Sequence, residues 1–171
     1  MSDENQQETP PAADNGQSAP ENLPRLAILT QYVKDFSFEN PNAPASLIQG
    51  NPQPNINVSV DVQARRSGEQ NFEVDLHISI EAKQGDNAVF MTELVYSALF
   101  TLENIPQENL QPVLLIECPR LIFPFARRII ADATRDGGFP PLMLDPIDFA
   151  QLYQQQIAAA QAQAAEANQP N

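Results

Sequence analysis

Val33-Lys34-Asp35-Phe36-Ser37-Phe38-Glu39-Asn40-Pro41-Asn42-Ala43-Pro44 is the stretch on which the fold turns. Its first half alternates with a period of two, which in a strand sets Val33, Asp35, Ser37 and Glu39 on one face and Lys34, Phe36 and Phe38 on the other. One face is acidic and the other mostly aromatic, so the strand needs a cover on one side and displays carboxylates to water on the other. Asn40 to Pro44 then takes the chain out of the sheet, because proline donates no N–H and restricts the residue before it.

Outward from this strand the pattern continues. The apolar content rises from Leu26 into it, and after it Asn42 to Pro54 carries Pro44, Pro52 and Pro54 around Leu47 and Ile48. That segment is too broken for regular structure and too apolar to be fully solvated, which predicts a crossover loop lying on apolar surface. Asn55 to Gln63 puts Ile56, Val58, Val60 and Val62 inward and Asn57, Ser59, Asp61 and Gln63 outward. Phe72 to Ala82 repeats this, with Glu73, Asp75, His77, Ser79 and Glu81 outward. Turns at Arg65 to Gln70 and at Gly85-Asp86-Asn87 are short enough to make the neighbours antiparallel. Val89 to about Leu102 is apolar on both faces, as a strand is when it is central or partly covered by another subunit.

Pro119 suits the first position of a helix whose apolar stripe runs through Leu121, Ile122, Phe125, Ala126, Ile129, Ile130 and Ala133. Pro124 should kink it or mark the true start of the regular helix, and Arg128 with Asp132 has the spacing of an i,i+4 pair. Gly137-Gly138 ends it, and Phe139 to Leu144 reads as an extended apolar link. Asp145 then caps a second helix with Pro146 first and a stripe of Phe149, Leu152, Tyr153 and Ile157. The pattern predicts an α+β fold, a four-stranded antiparallel sheet with helices packed on one face.

The chain has 171 residues and a net charge of -13, which suits a cationic partner and disfavours nucleic acid or an anionic membrane face. Residues 1–24 read as a disordered acidic tail, 25–157 as the folded domain, and 158–171 as an Ala/Gln-rich tail. The start of the chain has neither a basic nor an apolar run, so the expectation is no secretory signal, no membrane insertion and a cytoplasmic location. A single cysteine, Cys118, agrees with a reducing compartment.

Three segments resemble the SecB family of bacterial export chaperones in order and spacing. They are Lys34 to Glu39 with Pro41 to Pro44, Phe90-Met91-Thr92-Glu93, and Cys118-Pro119-Arg120-Leu121-Ile122-Phe123-Pro124-Phe125-Ala126-Arg127 leading to Gly138-Phe139-Pro140. The resemblance implies a homotetramer, a dimer of dimers with helices between two sheets. It implies an ATP-independent holdase, not an enzyme, that binds unfolded secretory precursors and delivers them to the SecA motor. Through it Asp35, Glu39, Met91 and Glu93 are matched to the positions that dock the basic, zinc-containing C-terminal segment of SecA.

The residues themselves suggest two more surfaces. Leu47 and Ile48 with Phe149, Leu152 and Tyr153 can line a groove for extended unfolded segments, or simply pack the loop onto the helix. Leu94, Tyr96, Ile122, Phe125 and Ile129 are candidates for an oligomer interface, from the doubly apolar strand and the wide helical stripe. A rival reading is an enzyme or small-ligand binder using His77 or Cys118. His77 reads more simply as a solvated strand histidine and Cys118 as packing, since no histidine is near it in sequence. No Gly-rich phosphate loop, Cys-x-x-Cys or metal-spaced cluster occurs, so neither cofactor nor metal is expected.

Overall fold

The computed structural model of the protein describes residues 22–48 and 53–167. The N-terminal tail before Asn22, Pro52 in the crossover loop and the last four positions of the C-terminal tail lie outside the described residues. Strands β1 (Arg25–Glu39), β2 (Asn55–Arg66), β3 (Asn71–Gln84) and β4 (Asn87–Glu103) form one four-stranded antiparallel sheet in the order β1-β4-β3-β2. β2, β3 and β4 form a meander, and β1 lies against β4, so the crossover after β1 must travel the width of the sheet to start β2 at the other edge. The β3–β4 turn is tight, and Gly85 supplies its left-handed φ of 58°.

One sheet face carries the core. Val74, Leu76, Ile78, Ile80 and Ala82 of β3 and Phe90, Leu94, Tyr96, Ala98 and Phe100 of β4 are buried on it. Thr92, also buried there, donates to the Ser37 carbonyl at 2.8 Å, so its hydroxyl is satisfied. Ile56 and Val58 share this face, but β2 is an edge and they remain 38% and 41% exposed; alternation predicted the face, and the limited width of the helical cover leaves them wet.

The cover is one long helical run: α1 (Gln107–Pro112), a widened π turn at Val113–Glu117, and α2 (Cys118–Asp136). The helix therefore starts well before Pro119, and neither Pro119 nor Pro124 ends it. The π turn sits directly ahead of Pro119, whose ring and missing N–H a regular turn accommodates poorly. Ile122, Phe123, Ala126 and Ile130 face the sheet, while Leu121 and Phe125 stay exposed. Arg128 and Asp132 pair at 3.0 Å as spaced. Beyond α2, the Leu142 N–H donates to the Thr134 hydroxyl at 2.9 Å and pins the apolar link to the helix it has just left.

The next helix, α3 (Phe149–Ala167), begins later than Pro146 suggested. Asp148, not Asp145, is its cap, with its Oδ1 accepting from the Gln151 N–H at 3.0 Å. The helix continues through the Ala/Gln-rich sequence past Ile157, held at its root by Phe149, which is buried edge-on against Phe123.

Candidate functional site

The outer face of the sheet is built by a bulge in the opening stretch. β1 and β4 slip register between Val33 and Asp35, so Val33 pairs with Tyr96 on the core side while Asp35, Ser37 and Glu39 pair with Val95, Glu93 and Met91 on the outer side. Simple alternation put Val33 with Asp35 and Lys34 with the phenylalanines, and both assignments are overturned by that one extra residue. The Lys34 ammonium instead reaches across the outer face to Glu73 Oε1 at 3.2 Å and Asp75 Oδ2 at 2.7 Å.

Those two carboxylates anchor a network that spans all four strands. Tyr32 donates to Glu73, Arg65 pairs with Glu73, and Ser97 Oγ donates to Asp75 Oδ1 at 2.6 Å. Glu73 and Asp75, expected to be solvated, are buried at 8% and 6% exposure. The Tyr32 hydroxyl, with help from Lys34, holds the Glu73 carboxyl below its ordinary value against the cost of burial. Burial pushes the Asp75 carboxyl up, but Lys34, Ser97 and Arg65 together outweigh it and leave it lowered.

Beside this network Asp35, Glu39 and Glu93 are exposed and Met91 half-buried, all on the same outer face. Asp35 and Glu93 also border a hollow of about 200 Å³ that takes in Asp61 and His77 from β2 and β3. Alternation had put Asp61 outward without distinguishing it from other polar strand residues; only the sheet order brings it to Asp35 and Glu93. Among the described residues no group of His, Cys, Asp and Glu is arranged to hold a metal. No helix of the described residues is long and apolar enough to cross a membrane.

The apolar surface is redistributed relative to expectation. A groove of about 270 Å³ runs between the β2 edge and the link, lined by Pro54, Ile56, Phe90, Phe139, Pro141 and Leu142 among others. Leu47, 42% exposed, packs on Gly138 beside this link, and Ile48 is 65% exposed. Leu152 and Tyr153 are half-buried on α3, but Phe149 is core and has no surface to offer a ligand. The run Phe139 to Leu144 was legible as apolar; that it walls a groove depends on β2 being an edge.

The proposed interface residues divide in the same way. Leu94, Tyr96 and Ile122 are buried between sheet and α2 of their own chain, so they cannot meet a neighbour without unfolding that layer. Phe125, Leu121 and half-buried Ile129 on α2, with Leu29, Val33 and Phe36 at the free β1 edge, are left uncovered. Cys118 is fully buried, and burial, with the Glu117 charge, pushes its thiol up to about 12. It is a packing residue, not a nucleophile.

This arrangement has relatives. A SecB-like chaperone of Mycobacterium tuberculosis, Rv1957, solved with a ChAD peptide from the Rv1956 HigA1 antitoxin, shares the fold at a TM-score of 0.56 and 17% identity, over 72% of this chain and 91% of that one. The protein-export protein SecB of Parvibaculum lavamentivorans is 57% identical over 93% of this chain and 91% of its own length. That of Xanthobacter autotrophicus is 56% identical over 85% and 94%. Residues 19–160 match the family model for the preprotein translocase subunit SecB, a span that takes in the whole sheet, the long helical run and the root of α3; the chain belongs to the SecB family.

Proposed function

We propose that this protein is an ATP-independent cytoplasmic holdase that binds unfolded secretory precursors through its apolar groove and passes them to SecA at its acidic outer face. The observation that carries the reading is the groove between the β2 edge and the Phe139–Leu142 link, apolar and adjacent to exposed Leu47 and Ile48. A surface of that kind binds extended chains by burying their apolar side chains and demands no sequence. Family membership supports the export role, and the peptide bound to the Mycobacterium tuberculosis relative supports recognition of polypeptide. The outer-face carboxylates Asp35, Glu39 and Glu93 around Met91 suit the basic, zinc-containing C-terminal segment of SecA by charge. The uncovered residues of β1 and α2 support a homotetramer, assembled as a dimer of dimers.

The test is suppression of aggregation of a reduced, unfolded precursor, followed by light scattering without nucleotide. Protection is expected at stoichiometric protein, unchanged by ATP, and reduced when Phe139 and Ile56 are replaced by Ser. Protection that requires ATP, or that survives the double replacement intact, would sink the holdase reading or its groove respectively.

A further inference from the structure

We propose that Gln156 latches α3 onto Asp61, and that a cationic segment arriving on the outer face competes for this carboxylate, so that occupancy of that face and release of α3 are one linked equilibrium. This rests on the reading of the outer face as the docking surface for a basic partner.

Asp61 is half-buried on the outer side of β2 and borders the hollow that also holds Asp35 and Glu93. Gln156 Nε2 donates to its Oδ1 at 2.7 Å, and Gln63 Nε2 donates to its Oδ2 at 3.1 Å. A helix that packs chiefly on the π turn of the helical layer thus also touches a carboxylate of the opposite sheet face, around the β2 edge. The root of α3 is secured independently by buried Phe149 against Phe123, with the Tyr153 hydroxyl 3.5 Å from Gln111 Oε1. Every residue from Ala158 to Ala165 is exposed, so Gln156, with Ile157 beside it at 38% exposure, is where α3 last grips the rest of the chain among the described residues.

The competition follows from donor chemistry. The glutamine amide offers Asp61 a neutral donor, whereas a lysine or arginine offers a charged one and is drawn into the same hollow by Asp35 and Glu93. Losing Gln156 frees the part of α3 beyond Tyr153, while Phe149, Leu152 and Tyr153 keep their own contacts. Linkage makes the effect reciprocal: whatever factor a bound cation takes from the latch, loss of the latch gives back to the cation.

Amide hydrogen exchange over α3 in the full-length protein, at low salt with and without an oligolysine peptide, tests this. The peptide is expected to raise exchange from Gln154 through Ile157 and onward, and to leave the root at Leu152 unchanged. Gln156→Ala should raise it without peptide and tighten oligolysine binding roughly fivefold; because alanine is the better helix former, faster exchange cannot come from a weaker helix. Asp61→Asn keeps an oxygen for Gln156 but no charge, so α3 should stay protected and stop responding to the peptide. Peptide that binds while α3 exchange stays unchanged overturns the linkage and leaves the docking surface standing. Oligolysine that fails to bind at all removes both. An α3 response that persists in Asp35→Asn with Glu93→Gln also overturns the linkage, since the cation would then be acting from elsewhere.

Discussion

The Lys34 ammonium lies 2.7 Å from the Asp75 carboxylate, on the far side of β4, and this pair is available only because the bulge between Val33 and Asp35 turns Lys34 to the outer face. The same bulge keeps Val33 on the core side and leaves Asp35 and Glu39 in water, so one inserted residue fixes both the buried network and the acidic display. Replacing Lys34 by Met leaves Glu73 and Asp75 buried with Arg65 as their remaining basic partner among the described residues. A loss of about 1.5 to 3 kcal/mol is expected, the usual worth of a hydrogen bond to a charged group. Urea denaturation at neutral pH measures it.

The network also sets the pH dependence of stability. Glu73 and Asp75 titrate below their ordinary values in the folded chain, so their contribution is complete above the unfolded carboxyl pKa, about 4, and is lost as pH falls through the lowered folded values. Tyr32 is raised by its hydrogen bond to Glu73, and Lys34 by its bond to Asp75; their contribution is complete below about pH 10 and fades above it. Stability attributable to these four groups is therefore flat between about pH 5 and 9. Glu73→Gln with Asp75→Asn should lower stability at pH 7 and flatten the acid limb below pH 4. Parallel acid limbs in the parent and the variant would place the titration elsewhere.

Cys118 should be silent toward thiol reagents in the folded protein. With no exposed sulfur and a thiol pushed up to about 12, almost no thiolate is present at pH 8. Labelling by a maleimide should follow the unfolding curve in urea and be negligible before it, as read by mass spectrometry.

Gly137 closes α2 against the aromatic face of β1. A Cβ built there collides with the far edge of the Phe38 ring, which itself stacks on Phe90 at 5.8 Å. Gly137→Ala should cost about 1 to 3 kcal/mol as overpacking, and pairing it with Phe38→Leu should recover part of that loss. Additive losses in the thermodynamic cycle would show that the two positions do not press on each other.

Much of this molecule is visible in the chain because its strands alternate cleanly: Val74 to Ala82 declares its buried face residue by residue, and the turn at Gly85 declares the hairpin. What stays hidden depends on partners distant in sequence. Alternation cannot count the extra residue at Lys34, since the bulge is defined only against β4. Glu73 and Asp75 look like any solvated strand carboxylates until Lys34 and Arg65 arrive over them. Pro119 reads as a helix start, yet it lies inside a continuous helical run, with the π turn ahead of it taking up the misfit. Phe149 and Phe139 are equally apolar in sequence, but one fills the core and the other walls a groove. Sheet order decides which.

The buried state of Glu73 also changes how the docking reading is tested. Asp35→Lys with Glu39→Lys reverses two exposed charges on the face that also carries Met91 and Glu93, and it is expected to abolish binding to the SecA C-terminal segment. Both positions lie outside the Lys34–Asp75 network, so the fold should survive, and aggregation suppression should continue because the groove is on the opposite sheet face. A control must reverse two charges equally exposed and equally free of structural duty. Glu73 fails that requirement and Asp61 is held by Gln156, whereas Glu69 in the β2–β3 turn and Asp86 in the β3–β4 turn are exposed and away from the outer face. Interactions among exposed charges are screened within about 10 Å at 0.1 M salt, so reversal at the turns should weaken binding slightly and reversal at Asp35 and Glu39 completely. Titration calorimetry at two salt concentrations reads the difference. Equal losses from the two double variants would mean that net charge alone, and not this face, sets the affinity.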